Sequence, residues 1–221
     1  MRIFMKKLKN ISLMLFVFYT STTILASTLH FGPYLQSVKT DGITILWRTT
    51  EPVIGNIVYG ISLEKLDYNL SESEPAELHK FKISGLKPNQ EYYYQCIWEN
   101  DSTEVLHFKT APNKVETPIR IAVIADSRTH PDIFAKVCEQ TLKYNPDIFI
   151  HSGDFVSKGT EIEQWKPQFF DPAKELLASS PLYPSLGNHE KKSSYFFEHF
   201  TIYEGLYWWS ADYGSVHIIS L

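Results

Sequence analysis

Between residues 119 and 190 the sequence repeats one unit three times. Each is a short apolar run ending beside an acid or amide. Ile119-Arg120-Ile121-Ala122-Val123-Ile124-Ala125 leads into Asp126. Asp147-Ile148-Phe149-Ile150-His151 leads through Ser152-Gly153 into Asp154. Leu182 to Leu186 leads into Gly187-Asn188-His189-Glu190. A nearly continuous apolar run suits a strand covered on both faces, which is the habit of parallel sheets. Between the first two runs, Phe134, Val137, Cys138 and Leu142 recur at helical spacing behind Pro131. That pattern predicts a helix over about 131–144, closed by Asn145-Pro146. A β–α–β unit has parallel strands and a right-handed crossover. Its strand ends share one edge, where ligands of open α/β sheets bind. A broken helical region, about 162–178 and interrupted by Pro167 and Pro172, separates the second strand from the third.

The residue types at these ends point to metal chemistry. Carboxylates that converge repel each other unless protonated or bridged by cations. Asp126 and Asp154 are such a pair, and Asn188 adds a neutral oxygen. Gly153 and Gly187 let the backbone turn sharply toward a ligand. Two metal ions about 3.5–4 Å apart lower the pKa of a bridging water and clamp a phosphoryl group. Asp126 alone or Gly153-Asp154 alone is as well read as a turn, whereas Gly187-Asn188-His189-Glu190 after an apolar run is much rarer. The ordered series of three carries the signal.

Residues 30–110 have a different period. Gly42 to Thr49 alternates, with Ile43, Ile45 and Trp47 on one face. Gly55 to Tyr59, His79 to Ile83, Glu91 to Trp98 and Val105 to Thr110 are similar, with turn residues between them. Short strands at this spacing predict an antiparallel β-sandwich with Trp47 in its core. Gly85-Leu86-Lys87-Pro88 followed by Tyr92 and Tyr94 has the form of a tyrosine corner. Residues 111–118, polar with a proline near each end, read as a linker. Cys96 and Cys138 fall in different parts and read as lone buried thiols.

Residues 1–26 read as a secretory leader. A basic start with Arg2, Lys6, Lys7 and Lys9 precedes an apolar run and a small-residue cleavage point at Ala26-Ser27. The continuous apolar part, Leu13 to Tyr19, is short beside the roughly 20 residues of a membrane span. Export to the periplasm or the extracellular space is therefore expected, with no membrane attachment after cleavage. The whole chain has a net charge of −4; without the four leader cations it has 17 basic against 25 acidic side chains, a net of −8. No basic surplus points to nucleic acid. An acidic protein that handles phosphate needs local positive charge, which metal ions can supply.

Ala125-Asp126-Ser127-Arg128, Gly153-Asp154-Phe155-Val156 and Gly187-Asn188-His189-Glu190 resemble the first three motifs of the calcineurin-like metallophosphoesterases. The sandwich resembles a fibronectin type III domain. Its opening Gly32-Pro33-Tyr34-Leu35-Gln36-Ser37 is similar to the N-terminal domain of purple acid phosphatases. The resemblance covers about residues 30–221. It implies two domains, a sandwich at 30–110 and the N-terminal part of an α/β phosphoesterase domain at 119–221. It also implies a secreted hydrolase of phosphate esters that uses a hydroxide on two metal ions, of iron, zinc, manganese or a similar element. Residue by residue, it implies Asp126 on the first ion, Asp154 bridging, Asn188 on the second, and His189 contacting phosphate and protonating the leaving group.

Three departures stand beside the resemblance. Many family members have a histidine where this chain has Arg128, which stays protonated and cannot ligate; it can instead hold a phosphate oxygen or lie in an ion pair. His130 is near, at the wrong spacing. Ser157 stands where purple acid phosphatases have the tyrosine that gives their colour. The family's later histidine motifs are also absent from the 221 residues. The last residues, 206–210 and 215–221, read as two strands joined by a turn at Asp212-Tyr213-Gly214, with His217 facing outward. The expectation is a fragment with little activity by itself. The alternative is a non-catalytic exported binding module with a degenerate phosphoesterase part.

Overall fold

The computed structural model describes residues 26–203 and 206–221. The expected leader lies, but for Ala26, outside the described residues. A β-sandwich is followed by an α/β part, as expected. One sheet of the sandwich holds β1 (Leu29–Gln36), β2 (Gly42–Val53) and β5 (Ala76–Ser84), all antiparallel. The other holds β3 (Gly55–Gly60), β4 (Tyr68–Ser71), β6 (Glu91–Trp98), the short β7 (Asp101–Ser102) and β8 (Leu106–Lys109). Burial alternates strictly along β6, with Tyr92, Tyr94, Cys96 and Trp98 inward. Trp47 is fully buried and stacks on Phe81. The tyrosine corner is present: the Lys87 N–H donates to Tyr92 Oη at 2.9 Å. Cys96 and Cys138 are buried free thiols.

In the α/β part β9 (Ile121–Ile124), β10 (Ile148–His151) and β11 (Leu182–Pro184) are parallel neighbours. Helix α1 (Pro131–Leu142) connects the first two. The broken helical region is α2 (Ile162–Trp165), a π-helical turn over Lys166–Phe170 and α3 (Asp171–Ser179). Pro167 and Pro172 each stand at the start of a new segment, where their missing N–H costs nothing. A short helix α4 (Ser194–His199) and the hairpin β12 (Trp209–Tyr213) and β13 (Val216–Ser220) complete the described chain.

Two expectations need correction. The run at 119–125 is not covered on both faces. Ile121 and Val123 are 38% and 65% exposed, because β9 is the edge strand of its sheet. A groove of about 490 Å³ lies there against Ile133 and Val137 of α1. The strand expected at 206–210 begins instead at Trp209. Trp209 and Tyr213 are the buried pair that sets its register, and the Trp209 indole N–H donates to the Pro184 carbonyl at 2.8 Å. His217 does face outward, paired across the hairpin with Asp212.

The halves share a sheet and a core. Gln36 of β1 pairs in parallel with Leu182 of β11, giving the six-strand order β5-β2-β1-β11-β10-β9. Phe31 of the sandwich stacks on Phe170 at 4.0 Å between ring centroids. The buried Gln36 amide donates to the His199 carbonyl at 2.7 Å and accepts from the Thr201 N–H at 2.9 Å. A buried amide so satisfied costs little, whereas an unsatisfied one would destabilise the contact. Arg48 of β2 reaches both Glu77 and Glu198 at 2.7 Å, tying α4 to the sandwich. The sandwich and the α/β part therefore pack directly on each other.

Candidate metal and phosphate site

The three parallel strands put their carboxyl ends on one rim. Asp126 follows β9, Asp154 follows β10, and Gly187 to Glu190 follow β11. Both aspartates have left-handed backbone, φ 54° and 59°, a conformation that costs a non-glycine residue roughly 1 kcal/mol or more. Neighbouring contacts hold them there. The Asp126 N–H donates to the Gly153 carbonyl at 3.1 Å, and the Asp154 N–H donates to Glu190 Oε2 at 2.9 Å. Gly153 has φ 99°, and a Cβ there would come within 2.7 Å of the Gly187 backbone. The second and third loops are thus packed backbone against backbone.

Arg128 joins the two carboxylates. Its Nη1 contacts Asp126 Oδ1 and lies 3.0 Å from Asp154 Oδ2. The Asp126 side chain is 65% exposed, while Asp154 and Arg128 are 18% and 22% exposed. Burial pushes the Asp154 carboxyl upward in pKa. The His189 N–H, donating at 3.0 Å, and the Arg128 guanidinium together outweigh that and hold it below the ordinary aspartate value. Asn188 is exposed at the rim, between Gly187 and His189, which both lie against Asp154. His189 places Nδ1 2.7 Å from the Ser157 carbonyl. A carbonyl only accepts, so Nδ1 carries the proton and Nε2 is left to exchange one. His130 caps α1 from outside this group, without a side-chain cap bond.

Two buried side chains support these loops. Glu190, fully buried, accepts from the N–H groups of Asp154, Phe155 and Gly187 at 2.9 Å, and from Val156 at 3.4 Å. Burial raises its carboxyl pKa, and these four donors oppose the rise. His151, at the end of β10, meets Ser127 Oγ at 3.1 Å, between Asp126 and Arg128 in the chain. Burial pushes the His151 imidazole down to about 3, against the pull of the Asp154 charge. It is therefore a neutral prop among Phe134, Phe149, Phe155 and Phe169.

The arrangement suits a cation. Two carboxylates aimed at one point share a positive charge, the guanidinium. Oxygen donors of this kind suit hard divalent ions. Among the described residues no group of three His, Cys, Asp or Glu side chains gathers, so the carboxylate pair and Asn188 do not complete two coordination shells.

Comparison with known proteins finds similarity over part of the chain. Residues 119–218 match the calcineurin-like phosphoesterase family. Two Arabidopsis thaliana proteins are similar over longer stretches. Purple acid phosphatase 21 is 34% identical over 131 residues, 59% of this chain and 28% of its own length. Probable purple acid phosphatase 20 is 27% identical over 167 residues, 71% of this chain and 38% of its own length. This chain thus spans well under half the length of these relatives. Among solved structures, purple acid phosphatase PPD1 from yellow lupin (Lupinus luteus) superposes with a TM-score of 0.68 at 17% identity, over 88% of this chain and 44% of that one. PhoD superposes with a TM-score of 0.59 at 13% identity, over 72% of this chain and 39% of that one. These two show a shared fold.

Proposed function

We propose that this chain carries the first part of a secreted, metal-dependent phosphoesterase. The sandwich spans 30–110, the linker 111–118 and the phosphoesterase part 119–221, behind a cleaved leader at 1–26. The observation that supports the reading most is the convergence of Asp126 and Asp154 on one cation at adjacent parallel strand ends. Asp126, Asp154 and Asn188 would hold metal, with Asp154 shared between two ions. The ions are iron, zinc, manganese or similar. When bound they would supply Lewis acidity and an activated water.

The chain's own residues have distinct tasks in this reading. Glu190 keeps the second and third loops together, so that the ligands stay in register. The Ser157 carbonyl fixes the His189 tautomer. His189 Nε2 then carries the proton that the departing alkoxide takes. Arg128, always charged, offers donors to the phosphate oxygens, whose charge grows as the ester bond breaks. The substrate is a phosphate ester. Among the described residues no helix is long and apolar enough to cross a membrane.

The test is hydrolysis of an aryl phosphate by a form extended through the whole phosphoesterase domain, beside the 221-residue chain. The extended form is expected to need metal and to lose activity with Asp154→Asn. The 221-residue chain is expected to be nearly inactive. Hydrolysis that survives both a chelator and Asp154→Asn would overturn the proposal.

A further inference from the structure

The position of Arg128 has a consequence for how the site fills. A guanidinium carries five N–H donors in a planar fork and stays protonated at any ordinary pH. Here one tip, Nη1, serves both carboxylates. Among the described residues no other Arg128 nitrogen makes a hydrogen bond to protein. The hold is therefore a single-tip one, weaker than a two-pronged carboxylate contact. Arg128 comes from the same loop as Asp126, two residues on, and turns back across the strand ends to Asp154. The Asp126 side of the pair is open to solvent, so the side chain has room to leave.

We propose that Arg128 is a displaceable cation: it neutralises Asp126 and Asp154 while no metal ion is bound, and a metal ion that takes the carboxylates releases it to bind phosphate. The inference rests on the metal-site reading above. A lysine or histidine in this place could give way by losing its proton, but an arginine must be physically displaced. Metal entry then costs the ion pair, and affinity for metal alone is reduced. Phosphate bound by the freed guanidinium regains what was lost. Metal and phosphate must then strengthen each other's binding, by the same factor in both directions.

The experiment measures Mn²⁺ binding to the 221-residue chain from the electron paramagnetic resonance signal of the free ion, with and without inorganic phosphate. Wild type, Arg128→Met and Asp154→Asn are compared. Arg128→Gln is added as a second variant, should the methionine variant misfold by circular dichroism. Arg128→Met is expected to bind Mn²⁺ about tenfold tighter than wild type without phosphate, the scale of one charge-assisted contact. Phosphate is expected to tighten Mn²⁺ binding in wild type and to leave the variant unchanged. Equal or weaker Mn²⁺ binding by Arg128→Met, with Asp154→Asn still abolishing it, would refute the displacement and leave the metal site standing. Mn²⁺ binding by no chain, or binding indifferent to Asp154→Asn, would overturn the metal site and the displacement together.

Discussion

Replacing Glu190 with glutamine should be among the most damaging isosteric changes in this chain. The carboxylate is fully buried and takes four backbone N–H donors, two on each oxygen. An amide has one oxygen and one NH₂ group. Whichever way it is placed, two of the donors then face a donor. Each orphaned buried N–H costs roughly 1–3 kcal/mol. Removing a buried charge offsets part of this, since burial raises the Glu190 pKa. A net loss of about 2–4 kcal/mol follows. In a domain of this size that lowers the melting temperature by roughly 5–15 °C. Urea unfolding followed by tryptophan fluorescence measures it. The sign with pH also follows. The folded protein protonates Glu190 more readily than the unfolded chain, so its contribution falls as pH rises from the ordinary glutamate value through the raised one. A loss under about 0.5 kcal/mol, with the slope of the urea transition unchanged, would refute the clamp.

Three further changes test other parts of the structure. Burial pushes His151 and His199 each down to about 3, so both must stay neutral in the fold. Stability is expected to be full above pH 6.5 and to fall toward pH 3 by up to about 1.4 kcal/mol per pH unit per histidine; equal urea midpoints in His151→Phe and wild type across that range would contradict this. Arg48→Ala leaves Glu77 and Glu198 without their shared partner and is expected to cost about 1–2 kcal/mol in urea unfolding, discounted for the exposure of the two carboxylates. Tyr92→Phe removes the acceptor of the Lys87 N–H and is expected to cost about 1–2 kcal/mol by the same assay, with no effect on metal binding.

What the sequence revealed was what local chemistry encodes. The three strand ends were legible because an apolar run ending in Asp or Gly-Asn is a local pattern. The tyrosine corner was legible because Tyr92 follows its partner by five residues. The pairing of β1 with β11 was not, because the residues that meet, Gln36 and Leu182, are far apart in sequence and each run is short. The open face of β9 was hidden for the opposite reason. An apolar run looks the same at the edge of a sheet as at its centre. Helix α4 was missed because six residues of Ser-Tyr-Phe-Phe-Glu-His carry too little periodicity, although Ser193 does cap it. At the site, the sequence identified Arg128 as unable to ligate. That it lies across both carboxylates depends on which strand neighbours which, and the fold alone determines that.

The central claim is that Asp126 and Asp154 form one cation site at the ends of adjacent strands. A crystal of the chain grown with Mn²⁺ and phosphate, examined by anomalous diffraction, tests it most directly. An anomalous peak against the oxygens of both aspartates is expected, with the Arg128 side chain turned away from them. No peak there, with Arg128 still across the pair in crystals that hold Mn²⁺ elsewhere, would contradict it.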